Sequence, residues 1–262
     1  MRGPFRRWSC VAAMVLTVAI GAQAAEIPAN ERRSDYELMG PELRRMQDDD
    51  SANPGMLWVF DGEAMWQRKD GSARKSCADC HGEAARSMKG VATHYPAFDQ
   101  TLGRPIDLEG RINACRTQHQ GAEPLVFESK ELLSLTAYVA RQSKGLPSSV
   151  GEDAATLPFV ATGRAIFEQR QGQLNLSCAQ CHDDNWGQKL AGAIIPQAHP
   201  TGYPLYRLEW QSLGSLQRRL RNCLIGMRAA PYAYGAPEMT ELELFLGRRA
   251  RGLTLEAPAV RP

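Results

Sequence analysis

Two Cys-x-x-Cys-His motifs are the parts of this 262-residue chain with the clearest capacity for chemistry. They lie within "KSCADCHGEAA" (75–85) and "LSCAQCHDDNW" (176–186). In such a motif the two thiols bond to the edge of a porphyrin, and the histidine is the proximal ligand of its iron. The motifs therefore predict two covalently bound haem c groups, held by Cys77, Cys80 and His81 and by Cys178, Cys181 and His182.

Three other uses of these motifs fit the sequence less well. A redox Cys-x-x-Cys pair does not need the histidine that follows. A zinc site needs four ligands from neighbouring pairs, whereas these motifs lie 101 residues apart and each has its own histidine. A disulfide between residues three apart is strained and uncommon.

The second axial position of each iron needs a further ligand. Methionines and histidines are the usual choices, and the candidates are Met88, Met227, Met239, His94, His119 and His199. No two residues of the same type among these candidates occupy corresponding positions in the two halves of the chain. Cys115 and Cys223 do correspond, because they end the matching blocks "LEGRINAC" (108–115) and "LQRRLRNC" (216–223). The sequence therefore favours a thiolate ligand at both irons.

Other roles for these two cysteines remain open at this point. A Cys115–Cys223 disulfide is natural in an oxidising compartment, and a buried thiol without a role is a further alternative. His119 and Met227 each follow one of the cysteines by four residues. On a helix either side chain can face the same haem as its cysteine, so spacing alone leaves a ligand exchange open.

Arginines surround the second of these cysteines. Arg218, Arg219, Arg221 and Arg228 fall within eleven residues that include no acid, and Arg219 lies one helical turn before Cys223. Guanidinium groups of this kind are often solvated or pair with haem propionates. Beside a nucleophilic thiolate, their concentration favours a site for a small oxyanion such as a sulfonate. Arg111 precedes Cys115 in the same way, but there Glu109 dilutes the positive charge.

The elements that position these residues form an internal repeat. The segments 62–81 and 163–182 align without a gap, with Gly62, Trp66 and Gly71 opposite glycine, phenylalanine and glycine. The two cysteine blocks follow, and then "LTAYVARQSKGL" (135–146) matches "LELFLGRRARGL" (242–253). Apolar residues recur with helical spacing, and alternating strand patterns are absent. We predict a mainly α fold of two tandem cytochrome c-like domains with long loops.

The N-terminus has the pattern of a secretory signal peptide. Three arginines precede a short apolar run, and Ala22-Gln23-Ala24 fits a cleavage site. Removal of residues 1–24 takes three of the 31 basic residues and none of the 29 acidic ones, which leaves a net charge of −1. Nothing in that charge indicates nucleic acid binding, and the apolar run is too short to span a membrane.

These observations divide the chain into three parts. Residues 1–24 are the predicted signal peptide. Residues 25–150 contain an N-terminal extension, expected to pack on the first domain, and the first cytochrome c domain. Residues 151–262 contain the second, catalytic domain, which follows a linker-like stretch, "LPSSVGEDAATLP" (146–158).

The chain resembles the SoxA family, the larger subunits of the SoxAX cytochromes of bacterial thiosulfate oxidation. The resemblance covers nearly all of the chain after the signal peptide. It rests on both haem motifs, on the two later cysteines and, most specifically, on "RRLRNC" (218–223). It implies that Cys115 and Cys223 are the second iron ligands, that Cys223 is the catalytic cysteine and carries a persulfide, and that Arg219 binds substrate.

The resemblance also implies an activity, that of an L-cysteine S-thiosulfotransferase. Thiosulfate is joined oxidatively to a cysteine of the carrier protein SoxYZ, and two electrons pass to a c-type cytochrome. The implied partner is SoxX, a monohaem cytochrome c, in a periplasmic heterodimer. A dihaem electron carrier and a dihaem cytochrome c peroxidase are the alternatives. The carrier needs no arginine-flanked cysteine, and the peroxidase needs an iron open to hydrogen peroxide.

Overall fold

The structure is a computed structural model, and it describes residues 27–262. The predicted signal peptide, residues 1–24, lies outside the described residues. The helices of the described part are α1 (Pro41–Asp48), α2 (Met56–Gln67), α3 (Cys77–His81), α4 (Ala84–Ser87), α5 (Leu108–Cys115), α6 (Lys130–Arg141), α7 (Leu157–Glu168), α8 (Cys178–His182), α9 (Leu216–Gly226) and α10 (Pro237–Arg249). The strands are β1 (Ala97–Asp99), β2 (Arg104–Ile106), β3 (Lys189–Leu190), β4 (Ala193–Ile194), β5 (Leu205–Arg207), β6 (Ser212–Gly214) and β7 (Ala259–Arg261).

The two halves repeat one order of elements. Each half has a long helix, a short helix that carries the Cys-x-x-Cys-His motif, a hairpin of three-residue strands, a helix with the later cysteine, and a C-terminal helix. No strand in residues 27–262 is longer than three residues, which is why alternating patterns are absent from the sequence. The prediction of a mainly α, duplicated fold is confirmed. Within this range none of the helices has both the length and the apolar character that a membrane crossing requires.

A glycine lies at the crossing of the two long helices in each half. A Cβ on Gly62 of α2 would lie 2.1 Å from the carbonyl oxygen of Ser134 in α6, and one on Gly163 of α7 would lie 2.0 Å from that of Glu241 in α10. The helices can therefore approach this closely only without a side chain at the crossing. This contact explains the first matched glycine of the repeat.

A second matched glycine joins the haem-motif loop to the segment after the later cysteine. Gly71 and Gly172 have φ values of 67° and 69°, and a Cβ on either would collide with the backbone of that segment. In the second half the N–H groups of Gln173 and Leu174 donate to the carbonyl oxygens of Arg228 (3.3 Å) and Met227 (3.4 Å). Corresponding bonds reach Gln120 and Gly121 in the first half. We call this set of contacts the backbone clamp.

The motif helices begin at well-formed caps. Ser76 accepts a hydrogen bond from the N–H of Asp79, whose carboxylate accepts one from the N–H of Ser76. Ser177 and Gln180 form the same reciprocal pair in the second half. This capping box satisfies N–H groups at the start of a helix too short to be stable alone. It therefore fixes where the motif helix begins.

The hairpin of the second half is held against the first. β5 pairs antiparallel with β6 and parallel with β7, which makes it the central strand of a three-stranded sheet. Leu213 of β6 is 1% exposed and packs in one cluster with Met56, Val59 and Leu133 of the first domain. The two domains therefore share an apolar core at this hairpin.

The N-terminal extension, expected to pack on the first domain, contacts both domains. Its backbone and side chains bond mainly to the loop 196–199 and to the C-terminal segment. The N–H of Arg33 donates to Oε1 of Gln197 (2.8 Å), and Nδ1 of His199 donates to the carbonyl of Arg33 (2.7 Å). Oε1 of Gln47 accepts from the N–H of Val260 (3.0 Å). Buried backbone groups need such partners, and the second domain supplies these. Asp50 of the extension pairs instead with Arg141 (2.5 Å) and Lys144 (3.8 Å) of the first domain.

The boundary between the domains is consistent with the linker-like stretch. The first half ends with α6 at Arg141, and α7 begins at Leu157. We keep a division near residue 150 as a proposal.

Candidate functional site

The first Cys-x-x-Cys-His motif lines an apolar cavity of about 380 Å³. Cys77, Cys80 and His81 form one side, and Cys115 of α5 lies on the wall. The structure therefore brings together the four residues predicted for the first haem. His119 and Met88 also reach this cavity, so both of these alternative ligands remain neighbours of the site.

Aromatic side chains support both motif histidines. The ring of Trp66 lies 5.7 Å from that of His81, and the ring of Phe167 lies 6.4 Å from that of His182, measured between centroids. Trp66 and Phe167 are the matched aromatic residues of the repeat. They come from α2 and α7, so the long helices position the motif histidines.

His182 is held in the form that binds iron. Its Nδ1 lies 2.7 Å from the carbonyl oxygen of Pro196, and because a carbonyl can only accept, Nδ1 carries the proton. Nε2 then has a free lone pair, as in most histidine ligands of metals. Burial, together with the charges of Arg219 and Arg249, lowers the pKa of His182 to about 4. The imidazole is therefore neutral near pH 7.

The thiols of the second site lie close together. Burial, together with the charge of Cys223, raises the pKa of Cys178 to about 12, and the same two causes raise the pKa of Cys181. All six cysteines in residues 27–262 are free thiols. A Cys115–Cys223 disulfide is therefore absent from the described structure, whereas Cys115 and Cys223 each lie beside the attachment cysteines of their own half.

The remaining candidate ligands lie in different surroundings. Met239 is fully buried at the start of α10, and Nδ1 of His94 lies 2.9 Å from Oγ of Ser149, outside the first cavity. His199 is buried beside the second site, and its Nε2 has no hydrogen-bond partner among the described residues. Such an orphaned polar atom is expected where a polar group of a cofactor completes the site.

These observations fit haem c at both motifs. The first half provides an apolar cavity with thiols on one wall and an imidazole beside them. The second provides a neutral imidazole with Nε2 free, three gathered thiols and an orphaned histidine nitrogen. The donor sets of sulfur and nitrogen are those that haem iron takes.

Arg219 has a guanidinium group that no hydrogen bond or ion pair engages within residues 27–262. Burial works against its charge, but the negative charges of Cys223, Tyr203 and Asp35 outweigh burial and raise its pKa. It therefore remains cationic beside Cys223. The equivalent Arg111 forms an ion pair with Asp99.

Arg218 and Arg221 have structural contacts instead. Arg218 donates to Oγ of Ser212 (3.1 Å) and stacks over the ring of Trp210 at 4.2 Å. Arg221 donates to the carbonyl of Tyr232 and lies over the ring of Tyr234 at 4.5 Å. Of the clustered arginines, Arg219 alone combines burial with an unengaged guanidinium in the described structure, since Arg228 is exposed.

Three residues that the sequence did not single out share the surroundings of Arg219. They are Asp35 from the extension, Tyr203, and Arg207 of β5. Burial raises the pKa of the Asp35 carboxyl to about 6 and also raises the pKa of the Tyr203 hydroxyl. An alignment of the repeat that included the hairpins could have found Arg207. No sequence signal links Asp35 to a site so far along the chain.

Comparisons with known proteins agree with this site. A family model described as "SoxA/TsdA, cytochrome c domain" matches residues 61–148 and again residues 162–255. Two matches in tandem confirm the prediction of duplicated cytochrome c domains, and such domains bind haem c.

Relatives of known activity and structure span most of the chain. The L-cysteine S-thiosulfotransferase subunit SoxA of Pseudaminobacter salicylatoxidans is 37% identical over 235 residues, which is 89% of this chain and 82% of that protein. The same subunit of Rhodovulum sulfidophilum is 35% identical over 232 residues, or 88% of this chain and 81% of that protein. The crystal structure of SoxXA from P. pantotrophus aligns with a TM-score of 0.85 and 31% identity, covering 88% of this chain and 87% of the matched chain.

Proposed function

The chain belongs to the SoxA/TsdA family of cytochrome c domains, and on this premise we propose that it is the dihaem SoxA subunit of an L-cysteine S-thiosulfotransferase. The reaction joins thiosulfate to a cysteine thiol of a SoxYZ carrier. One S–S bond forms and the S–H bond of the thiol breaks. R–SH + S₂O₃²⁻ gives R–S–S–SO₃⁻, one proton and two electrons. The related SoxA subunits named above support this assignment, as does the site around Cys223.

The haem groups are assigned to residues of this chain. Cys77 and Cys80 would hold the first covalently, with His81 and Cys115 as the residues that bind its iron, and Cys178 and Cys181 would hold the second, with His182 and Cys223 in the same roles. Haem c supplies a one-electron acceptor when bound. Each turnover releases two electrons, so a second acceptor is needed, and we assign it to the haem of SoxX. A c-type cytochrome then removes the electrons from the complex.

Cys223 and Arg219 perform the sulfur chemistry in this proposal. Cys223 presents the reactive sulfur and carries a persulfide, and Arg219 binds the sulfonate end of thiosulfate through charge-assisted hydrogen bonds. The observation that carries the proposal is the half-buried guanidinium of Arg219, which has no ion-pair partner in the described structure and whose pKa is raised by Cys223. The ion pair of Arg111 with Asp99 supports a structural role for the first site.

The location and partner follow from the family. The signal peptide predicted for residues 1–24 directs the chain to the periplasm, the compartment in which both cytochrome c maturation and thiosulfate oxidation take place. SoxX is the proposed heterodimer partner, supported by the similarity to the SoxXA complex of P. pantotrophus. SoxYZ and thiosulfate are the proposed substrates.

A reduction assay tests the function. Thiosulfate-dependent reduction of cytochrome c is measured with carrier protein and SoxX added singly and together. We expect reduction only when both are present. Reduction without the carrier would indicate a different acceptor for thiosulfate, and no reduction in the full mixture would contradict the proposal.

Ferric absorption and spin-resonance spectra distinguish the two alternative functions. Low-spin histidine/thiolate signals at both irons support the proposed site. A histidine/methionine signature favours the plain electron carrier, and a five-coordinate high-spin iron favours the peroxidase.

A further inference from the structure

The two hairpins of the repeat carry opposite charges at one equivalent position. Asp99 ends β1 and precedes Cys115 by sixteen residues, and Arg207 ends β5 and precedes Cys223 by sixteen residues. The registers agree, since Asp99 lies opposite Arg104 and Arg207 lies opposite Ser212 at the loop end of each hairpin. The two residues are therefore structural equivalents.

This difference changes the partner of the arginine that precedes each cysteine. In the first half Asp99 pairs with Arg111, and the N–H of Leu102 together with Arg111 lowers the pKa of that carboxyl. The pair has no net charge. In the second half the equivalent positions hold Arg207 and Arg219, so the same place has two positive charges.

The charges of Arg219 and Cys223 act on Arg207, whose guanidinium lies over the ring of Trp210 at 5.2 Å with its hydrogen bonds only partly satisfied. Its side chain is 16% exposed, and its Nε is buried without a hydrogen-bond partner in the described structure. Burial, and after it the positive charge of Arg219, lowers its pKa, and the charge of Cys223 acts on it in the opposite direction. Its ion-pair partner, Glu209 at 3.3 Å, is 65% exposed, and such a surface pair contributes little.

Nearby acids do not neutralise the two arginines. The charge of Asp35 acts on Arg219, but the ion pair of Asp35 is with Arg261, at 4.0 Å. The charge of Glu209 acts on both arginines, but this carboxylate is largely exposed. Two guanidinium groups brought together repel each other unless an anion lies between them. A doubly charged oxyanion would remove this repulsion.

We propose that Arg207 is the second anion-binding residue of the site and that, with Arg219, it binds the sulfonate end of thiosulfate. The inference rests on the proposed function and adds a residue that determines its specificity. Thiosulfate carries two negative charges, so two guanidinium groups match it. The neutral Arg111–Asp99 pair of the first half does not attract a dianion, which limits substrate binding to Cys223.

The test uses the haem-loaded protein and Arg207→Ala, Arg207→Gln and Arg207→Lys. Binding of thiosulfate is measured by calorimetry, and turnover is measured in complex with SoxX and the carrier. We expect the Kd and KM for thiosulfate to rise roughly 10- to 100-fold in Arg207→Ala, with kcat at saturation and haem spectra nearly unchanged. Arg207→Lys keeps the positive charge but loses the paired N–H donors of the guanidinium, so we expect a smaller rise in its Kd than in that of Arg207→Ala.

The control is Arg228→Asn, which removes an exposed positive charge near the same helix end. Arg228 has a φ of 56°, a conformation that asparagine tolerates. We expect the Kd of Arg228→Asn for thiosulfate to stay within about twofold of that of the wild type, because the Arg228 side chain affects the site only through a charge that solvent screens.

Arg207→Asp reproduces the first-half pair in the second half. It should weaken binding more than Arg207→Ala, because the new carboxylate engages Arg219. A Kd in Arg207→Ala and Arg207→Gln equal to that of the wild type, or a shift no larger than that of Arg228→Asn, overturns the inference. Failure of wild-type turnover overturns the proposed function instead, and the ratio of binding constants still decides the role of Arg207.

Discussion

Cys115 and Cys223 occupy the same place in the repeat, so ligation alone does not distinguish them. The difference is the charge around them, since Arg111 is paired with Asp99 whereas Arg219 is not paired in the described structure. A thiolate that reacts with a dianion needs a positive local field, because repulsion otherwise keeps the reactants apart.

Cys223→Ser should therefore abolish thiosulfate-dependent electron transfer, whereas Cys115→Ser should change the first haem's spectrum and retain much of the rate. The measurement is cytochrome c reduction with both variants loaded with haem. Peptide mass spectrometry of the wild type should find one extra sulfur on part of Cys223. Equal loss of activity in the two variants would contradict the assignment of the catalytic cysteine.

Arg219→Ala should reduce kcat/KM for thiosulfate while both haem spectra stay almost unchanged. The lost charge-assisted contact is worth on the order of 1.5–3 kcal/mol, or roughly 10- to 150-fold. Arg228→Asn again serves as the control for a distant positive charge. Wild-type turnover in Arg219→Ala would show that this guanidinium has no part in binding.

The sequence identified most of this site because its chemistry depends on short, repeated patterns. The haem motifs, Cys115, Cys223 and Arg219 are all read from local spacing. Arg207 and Asp35 were missed because they reach the site through a hairpin and through an extension far away in the chain. Contacts of that kind depend on tertiary packing, which no local pattern encodes.

At the scale of elements, the long helix pairs depend on two glycines. In Gly163→Ala the new methyl group would meet the carbonyl of Glu241, so α7 and α10 must separate. We expect a loss of at least ~2 kcal/mol in the free energy of unfolding, together with poorer haem incorporation.

Gly226→Ala is the matched control. No atom lies within 4 Å of a Cβ at Gly226, which ends α9 without a positive φ. That substitution should stabilise the protein by about 0.5–1 kcal/mol. Denaturant unfolding of both variants tests the comparison, and equal stability of the two would argue against the close helix crossing.

The helices were predictable and the strands were not. Helical spacing identified α6 and α10, whose apolar faces are long enough to show a period. Strands of two or three residues cannot show one. The contacts of the extension with the second domain were not predictable, since polar clusters do not indicate which surface will satisfy them.

At the scale of the whole molecule, the two domains meet at buried acids. Asp107 and Glu243 are 5% and 6% exposed, and Nε2 of Gln217 donates to Oδ2 of Asp107 at 2.7 Å. Burial raises the pKa of the carboxyl groups of Asp107, Glu109 and Glu243. Together with the charge of Asp107, burial raises the pKa of Glu109 to about 8. The domains therefore meet at carboxyl groups whose protonated form burial favours.

This interface should weaken as pH rises. The folded-state pKa of Glu109 is above its ordinary value of 4.5, so its contribution to stability is complete below about pH 4.5 and is lost as pH rises through about 8. Between pH 5 and 9 we expect Tm to fall less in Glu109→Gln than in the wild type, by on the order of 5 °C. Glu63→Gln, on an exposed part of α2, is the control and should follow the wild type. The same pH dependence in all three proteins would contradict this role.

The backbone clamp, in which Gln173 and Leu174 donate to the carbonyl groups of Arg228 and Met227, also affects how the reactive sulfur behaves between reaction cycles. It holds Cys223 near the attachment cysteines through main-chain bonds, whether or not the sulfur itself is bonded. A tethered group has an effective concentration on the order of millimolar or higher at its partner. The entropy cost of bringing the Cys223 sulfur beside the attachment cysteines has already been met in folding. A Cys223 sulfur released in one step therefore returns to its position without a diffusional search.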